Sequence, residues 1–294
     1  PWDVGPEGYA LGRFPPPFAE WNDRFRDDVR GAWRGDARGA QRLAAAMLGS
    51  AEAFDRGGRP AWSSVNYVAA HDGFTLADQT TYADRRNHAN GEGNRDGHAG
   101  EISDPCGPDG PSDDPAVLAA RGRRRRALLA TVALAQGVPM LLGGDEIGRS
   151  QGGNSNAYCQ DNATTWVDWE GADLGLMAFA RAAFAARRRM PVLRQRRFLH
   201  GRPRPDGTPD AAWFALSGGG PPDWDDPGLA GFALVLRGAA GSVAAGLEDP
   251  SAALIAANLG PEPAALAPPP AVAGRSWRPV FSSAAADATP PAHP

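Results

Sequence analysis

The sequence predicts an α/β fold that is followed by a small all-β domain. A strand, a helix and a second strand follow one another between residues 63 and 142, and both strands end in acidic residues. Beyond Pro191, short strand candidates alternate with turns that are rich in Gly and Pro. At 294 residues the chain has room for one large domain or two ordinary ones, because a domain takes roughly 100–200 residues.

The N-terminal part predicts a loop and two helices. Residues 1–17 are rich in Pro and Gly, which disfavour regular structure. Apolar side chains then recur every three or four residues and predict one helix with a single buried face. These side chains are Phe18, Trp21, Phe25, Val29 and Trp33. A second helix, rich in Ala, is predicted from about residue 40 to residue 54.

A βαβ unit is predicted in the middle of the chain. Residues 63–70 contain β-branched and aromatic side chains and predict a buried strand that leads into His71. The helix is predicted over residues 114–136, because an acid followed by Pro suits a helix start and Gly suits its end. The second strand is predicted over residues 138–142. Parallel strands gather polar groups at their carboxyl ends, which is the face of α/β barrels that carries active sites.

The remaining elements are two long loops, one helix and a β-rich tail. The polar loop over residues 84–114 is too long for a simple connector, and such loops are usually functional or disordered. A second polar loop is predicted over residues 150–170. A helix is predicted over residues 172–189. We therefore predict a first domain over residues 1–191 and a second over residues 192–294, with a disordered last dozen residues. The strand candidates of the second domain are GFALVLRG, AALIAANLG and WRPVFSS.

Composition and charge exclude several classes of protein. The sequence contains no run of about 18 apolar residues, which excludes a transmembrane helix. A formal net charge of −4 disfavours a protein that coats nucleic acid or anionic lipid. Cys106 and Cys159 show no CxxC spacing, so neither a disulfide framework nor a zinc ribbon organises the fold. Neither a charged n-region nor an apolar h-region follows Pro1, so we expect no signal peptide within this sequence.

His71 and Asp72 are the first candidates for chemistry. A carboxylate at the end of a buried strand can accept hydrogen bonds from two sugar hydroxyls, and it can stabilise positive charge that develops on a substrate. A neighbouring His can donate to another hydroxyl. The dipeptide alone favours a structural role, in which Asp72 caps the following turn and His71 binds a loop carbonyl.

Asp145 and Glu146 form a second acidic pair. Adjacent residues of a strand point to opposite faces. We therefore expect one carboxylate to face the mouth of a barrel and the other to pair with an Arg. A structural ion pair or a turn cap is the alternative, and it is favoured by the residues alone.

Three further features favour structural roles. The loop NHANGEGNRDG resembles a calcium loop in its alternating acids and amides, but Arg95 occupies the position that an EF-hand reserves for Gly, so metal binding is disfavoured.

The basic run of Arg121 and residues 123–126 lacks interleaved aromatic residues, which favours a solvated or salt-bridged face over nucleic-acid contact. Four of the nine tryptophans, among them Trp166 and Trp169, lie in or near loops, where exposed rings can stack on sugars.

Five segments, in order, carry a resemblance to a known family. They are PWDVGPEGYALGRFPPPFAEWNDRFRD, NYVAAHDGFTL, NHANGEGNRDG, GVPMLLGGDEIGRSQGGNSNAYCQDN and TTWVDW. Together they resemble the bacterial glycogen debranching enzymes of the isoamylase type, which belong to the α-amylase superfamily of glycoside hydrolases. The resemblance runs from Pro1 to about Leu199.

The resemblance implies a fold, an activity and site residues. The fold is the C-terminal part of a (β/α)₈ barrel, about its last three strands, followed by a β-sandwich. The activity is retaining hydrolysis of α-(1→6) branch linkages. Asp72 matches the family's Asp that stabilises the transition state, and His71 matches its histidine that touches the glucose at the cleavage point. Trp2 and Asp3 lie in the segment that follows the family's acid/base Glu and are expected to bind substrate.

Two catalytic carboxylates of the family have no match in this chain. The acid/base Glu would precede Pro1, the Asp nucleophile would lie further upstream, and neither Glu7 nor Glu20 occupies a matching position. Retaining hydrolysis needs both groups about 5 Å apart. We therefore expect the full-length protein to debranch glycogen and this chain alone to be inactive. The alternatives are a non-hydrolysing or degenerate α-glucan-binding fragment, and another glucan hydrolase or transferase of the superfamily.

The same resemblance implies the partners. They are glycogen, limit dextrin or another branched α-glucan, in the cytoplasm, with no nucleic acid and no membrane. No cofactor is implied, because the two-carboxylate mechanism needs none, and no residue specifies a metal.

Overall fold

The computed structural model describes residue 6 and residues 8–98, 100–238, 252–271 and 275–285. The chain divides into two compact units. The first contains residues 1–66, 134–139 and 185–279, and the second contains residues 67–133, 140–184 and 280–294. The described residues form an α/β structure with two three-stranded sheets.

The first sheet is parallel and very short. Strand β1 (Glu20–Asn22) pairs with β2 (Ser64–Asn66), and β2 pairs with β3 (Val138–Pro139). Buried polar side chains form hydrogen bonds between its neighbouring chain segments. The Asn22 amide donates to Ser64 Oγ at 2.8 Å, and the Asn66 amide donates to the Gln136 carbonyl at 2.7 Å. Buried polar atoms need such partners, so these bonds fix how the three strands pair.

Helix α1 (Asp23–Arg34) begins later than the apolar spacing predicts. The Asn22 side chain accepts a hydrogen bond from the Phe25 N–H at 2.9 Å and caps the helix. Phe18 and Trp21 precede that cap and are exposed, whereas Phe25 and Val29 are fully buried. The prediction that Phe18 and Trp21 belong to the helix face is therefore wrong, because Trp21 lies in β1 and Phe18 precedes that strand.

The predicted Ala-rich helix is two helices. Three residues separate helix α2 (Gly39–Met47) from helix α3 (Ala51–Phe54). Gly49 and Ser50 have φ angles of 84° and 52°, a left-handed conformation that interrupts a right-handed helix.

The second unit is built around α4 (Leu76–Gln79) and the greater part of α5 (Pro115–Leu134) and α6 (Leu174–Arg189). The Asp114 carboxylate accepts from the Ala116 N–H at 2.8 Å, which confirms the predicted start of α5. Residues 140–142 and 67–70 are not paired as strands, so both predicted strands of the βαβ unit are shorter than expected.

The second sheet is antiparallel and belongs to the first unit. Its strands are β4 (Ala211–Phe214), β5 (Gly231–Arg237) and β6 (Ala252–Asn258). Trp213 packs edge-on against Trp224 and Phe232, with ring centroids 5.4 and 5.1 Å apart. The strand expected in WRPVFSS is absent from the described residues 275–285, and β4 was not predicted.

The predicted boundary at residue 191 falls within the first unit. That boundary, the barrel identity of the parallel sheet and the sandwich identity of the antiparallel one stay predictions. The predicted disordered tail lies largely outside the described residues. Within the part of the chain that the structure describes, no helix is long and apolar enough to cross a membrane.

Candidate functional site

His71 and Asp72 lie on an exposed turn after a buried segment. Residues 67–69 are buried, whereas the His71 and Asp72 side chains are 70% and 62% exposed. His71 Nε2 lies 3.4 Å from Asp72 Oδ2. The turn therefore presents an imidazole and a carboxylate together to solvent, where both can reach a ligand.

Two hydrogen bonds anchor this turn. The Gly73 N–H donates to the Ser155 carbonyl at 2.9 Å, and the Phe74 N–H donates to Glu101 Oε1 at 3.2 Å. Gly73 has a φ of +88°, and a Cβ there would lie 2.9 Å from Glu101 Oε1. The position therefore favours glycine for its left-handed backbone conformation, and a Cβ there would also displace the Glu101 carboxylate.

Asp145 is buried, and it contacts the segment that follows the His71–Asp72 turn. Its carboxylate accepts the Leu76 N–H at 3.0 Å, and burial raises its pKa to about 7. Asp145 and Glu146 lie on a 3-10 turn rather than a strand, and Glu146 accepts the Gly144 N–H at 3.0 Å. The expectation that the two carboxylates point to opposite faces of a strand is therefore wrong, and both act as backbone caps.

Asp78 is a second buried carboxylate in this region. It accepts hydrogen bonds from the Ser150 hydroxyl and from the Gln151 N–H, the latter at 2.8 Å. Burial raises its pKa, although these hydrogen bonds oppose the rise. Asp78 thus connects α4 to the start of the second long loop.

Amide side chains join the two long loops. Asn90 donates to Asp96 Oδ2 at 2.7 Å and accepts from the Asn154 amide at 2.9 Å. The Ser155 N–H donates to Asn87 Oδ1 at 2.8 Å. Ser155 also accepts the Gly73 N–H through its carbonyl. The network therefore links the His71–Asp72 turn to both loops.

Side chains of the calcium-like motif are engaged in hydrogen bonds of this kind. The Asn90 amide lowers the pKa of Asp96 by hydrogen bonding, and Glu101 accepts the Phe74 N–H. Among the described residues, no group of three or more His, Cys, Asp or Glu side chains could hold a metal ion.

The basic run has a structural role that differs from the predicted solvated face. Arg121 is buried and donates to the carbonyls of Pro105, Pro108 and Gly110 at 2.8–2.9 Å. Arg124 forms an ion pair with Asp104 at 2.8 Å, in agreement with the predicted salt bridging. The basic run, which lies on α5, thus holds the first long loop against this helix.

The remaining predicted site residues divide into two groups. Trp2 and Asp3 lie outside the described residues. Trp166 and Trp169 are exposed on the second loop. Asp78, Asp145 and the amide network were not predicted as parts of one site. The density of Asn and Gln in both loops was the available signal.

Comparisons with known proteins show related sequences, although no known family profile matches the chain. The chain is 47% identical over 222 residues to a glycogen operon protein GlgX homolog of Mycobacterium tuberculosis (strain ATCC 25618 / H37Rv), covering 74% of this chain and 31% of that protein. It is 47% identical over 218 residues to a glycogen debranching enzyme of Dickeya chrysanthemi, covering 74% and 33% respectively. The chain thus spans about a third of the length of these relatives.

Solved structures share the fold. A pullulanase from Bacillus acidopullulyticus matches 80% of this chain and 24% of its own with a TM-score of 0.53 at 18% identity. A type I pullulanase from Bacillus subtilis str. 168, solved with maltose, matches 80% of this chain and 29% of its own with a TM-score of 0.52 at 21% identity. The resemblance to glycogen debranching enzymes that the motifs predict is confirmed by the sequence relatives.

Proposed function

Because this chain is related over 74% of its length to bacterial glycogen debranching enzymes, we propose that it forms the C-terminal part of such an enzyme. The full protein would hydrolyse α-(1→6) branch linkages of glycogen or limit dextrin, in the cytoplasm, with retention of configuration. The observation that carries the proposal is the exposed His71–Asp72 turn, which lies within a segment that resembles the family's motif and is anchored to two loops.

In this proposal Asp72 stabilises the positive charge that develops on the sugar at the transition state. A fixed carboxylate near developing charge is effective because it requires little reorganisation during the reaction. His71 donates a hydrogen bond to a hydroxyl of the glucose at the cleavage point. Trp2 and Asp3 are assigned to substrate binding on the resemblance alone. The nucleophile and the acid/base are supplied from outside this chain.

The test begins with the coding sequence upstream of Pro1. We expect it to continue in frame with Glu immediately before Pro1 and the Asp nucleophile further upstream. In that longer protein, Asp72→Asn is expected to lower turnover on pullulan and glycogen by roughly 10²- to 10³-fold. Asp84→Asn, a change in the polar loop, serves as the matched control.

Other results would contradict the proposal. A stop codon or unrelated sequence upstream would favour a non-hydrolysing α-glucan-binding chain, because the chain offers no match for the two missing carboxylates. A longer protein that cleaves linear amylose in preference to branched glycogen would favour another glucan hydrolase or transferase of the same superfamily.

A further inference from the structure

Three large aromatic side chains are exposed on one loop. We call residues 157–169 the aromatic loop. Its Tyr158, Trp166 and Trp169 are 76%, 62% and 72% exposed. Single exposed apolar side chains are common, but several large rings on one short loop are typical of a contact site. The chemistry proposed for the His71–Asp72 turn uses none of these rings.

The loop holds the ring of Trp166 in a fixed position. The indole Nε1 donates to Asp161 Oδ1 at 3.1 Å, and the Trp166 N–H donates to the Asn162 carbonyl at 3.0 Å. Asn162 is itself held, because its amide donates to Gln160 at 2.7 Å and its side-chain oxygen accepts the Thr164 N–H at 2.9 Å. The ring is therefore exposed on a hydrogen-bonded turn rather than on a free loop.

Trp169 is followed by a second hydrogen-bonded turn. Asp168 Oδ1 accepts the Glu170 N–H at 3.1 Å and the Gly171 N–H at 2.9 Å. A Cβ on Gly171 would lie 2.4 Å from Asp168 Oδ2, so a larger residue there would displace this carboxylate from its present position. The Trp166 ring and the backbone beside Trp169 are thus preorganised, which lowers the entropy lost when a ligand binds.

The charge of the loop limits the chemistry of its ligand. Residues 157–171 include Asp161, Asp168 and Glu170 but no Arg, Lys or His. Arg149, which lies outside these residues, donates to the Thr165 carbonyl at 3.1 Å. The three carboxylates outnumber this guanidinium, so the loop is acidic and disfavours phosphates, nucleic acids and other anions. Flat apolar rings beside carboxylate and amide groups suit a neutral ligand that has an apolar face and many hydroxyl groups. A sugar ring has this combination.

The aromatic loop is also connected to the His71–Asp72 turn. The Gln160 amide donates to Asn90 Oδ1 at 2.8 Å, and Asn90 donates to the Asn156 carbonyl at 2.8 Å. The adjacent Ser155 accepts the Gly73 N–H. A ligand that contacts the rings would therefore lie on the loop that supports the candidate site.

We propose that Tyr158, Trp166 and Trp169 form a binding platform on which successive glucose rings of an α-glucan chain stack. This inference rests on the proposed function and extends it by assigning the residues that hold the glucan beyond the reacting sugar. The platform would determine affinity for the chain, whereas Asp72 would act on the reaction itself.

The test is calorimetric titration of the 294-residue chain with maltoheptaose. Trp166→Ala and Trp169→Ala are each expected to weaken binding roughly three- to tenfold. Trp166→Phe keeps a flat ring and should retain most of the affinity. Trp62→Ala removes an exposed indole outside the aromatic loop and should bind like the parent. Native folding of each variant is checked by the amide hydrogen exchange of α5.

The outcomes separate this inference from the proposed function. Parent-like binding by both alanine variants would overturn the platform while leaving the debranching proposal intact. A parent chain that does not bind maltoheptaose would overturn the platform and remove support for the α-glucan substrate. If the alanine variants instead dissociate a self-associated chain in sedimentation velocity, without change in sugar affinity, the rings form a protein contact and the platform is wrong.

Discussion

At the scale of single residues, the most informative group is the Asp145 carboxyl. Burial raises its pKa from 3.8 to about 7, so folding favours its protonated form. A raised carboxyl pKa means that the folded state binds the proton more tightly than the unfolded state does. Stability is therefore expected to fall as pH rises from about 4 to about 7, since the buried group must ionise over this range.

We predict that Asp145→Asn reduces this loss of stability. The amide oxygen can still accept the Leu76 N–H, but it carries no charge at any pH. A shift of about three pKa units corresponds to about 4 kcal/mol of unfolding free energy. Urea unfolding curves measured between pH 4 and pH 8 should therefore show a smaller decrease in the free energy of unfolding for Asp145→Asn than for the parent. Asp72→Asn, at an exposed carboxylate, is the control. Equal pH slopes for the parent and Asp145→Asn would contradict the assignment.

Sequence patterns predicted the exposed groups of this site better than the buried ones. His71 and Asp72 follow a recognisable apolar segment within a motif, so their position could be predicted. The role of Asp145 could not, because it depends on the Leu76 N–H, 69 residues away in the chain. The side chains of Asn87 and Asn90 likewise find partners 64–70 residues away, which no local pattern encodes.

At the scale of elements, long helices were predictable and short strands were not. The start of α5 depends on local capping by Asp114, whereas the helix ends at Leu134, two residues before the predicted end and three before Gly137, which has a φ of +116°. Strands β1 to β3 have only two or three residues each, so tertiary pairing decides them rather than propensity. The apolar spacing through Trp21 fits a helix equally well, and only the Asn22 cap indicates where that helix begins.

We predict that Arg121→Ala releases the first long loop from α5. Its guanidinium holds three carbonyls within residues 105–110, of which only the Gly110 carbonyl is bound in a buried position, and one buried carbonyl left without a donor costs about 1–3 kcal/mol. Cys106 lies in that segment and is partly buried. In a Cys159→Ser background, the Cys106 thiol should therefore react faster with Ellman's reagent in the Arg121→Ala variant.

Two variants sharpen this experiment. Arg123→Ala removes an exposed guanidinium from the same helix and should leave the thiol rate unchanged. Arg121→Lys keeps the charge but not the planar fork that binds several carbonyls, so it should resemble Arg121→Ala. Unchanged thiol reactivity in both Arg121 variants would show that other contacts hold the loop.

At the scale of the whole molecule, the contacts of the first unit cross the boundary predicted at residue 191. The Ala61 N–H donates to the Arg196 carbonyl at 2.9 Å, and Gln41 donates to the carbonyls of Trp224 and Asp226 at 3.1 and 2.7 Å. Phe198 belongs to one buried cluster with Leu11 and Phe54. The segment that begins at residue 192 therefore contributes Phe198 to a buried cluster of the first 66 residues.

We predict that separate fragments 1–191 and 192–294 do not fold cooperatively, whereas the mixed fragments do. Separation removes Phe198 from its cluster, and the loss of one buried Phe side chain alone costs about 3–5 kcal/mol. That is comparable to the entire stability of many domains, which is about 5–15 kcal/mol. Near-UV circular dichroism and thermal melting of each fragment, of the mixture and of the intact chain provide the measurement. A sharp melting transition of fragment 192–294 alone would instead support an independent β domain that begins at residue 192.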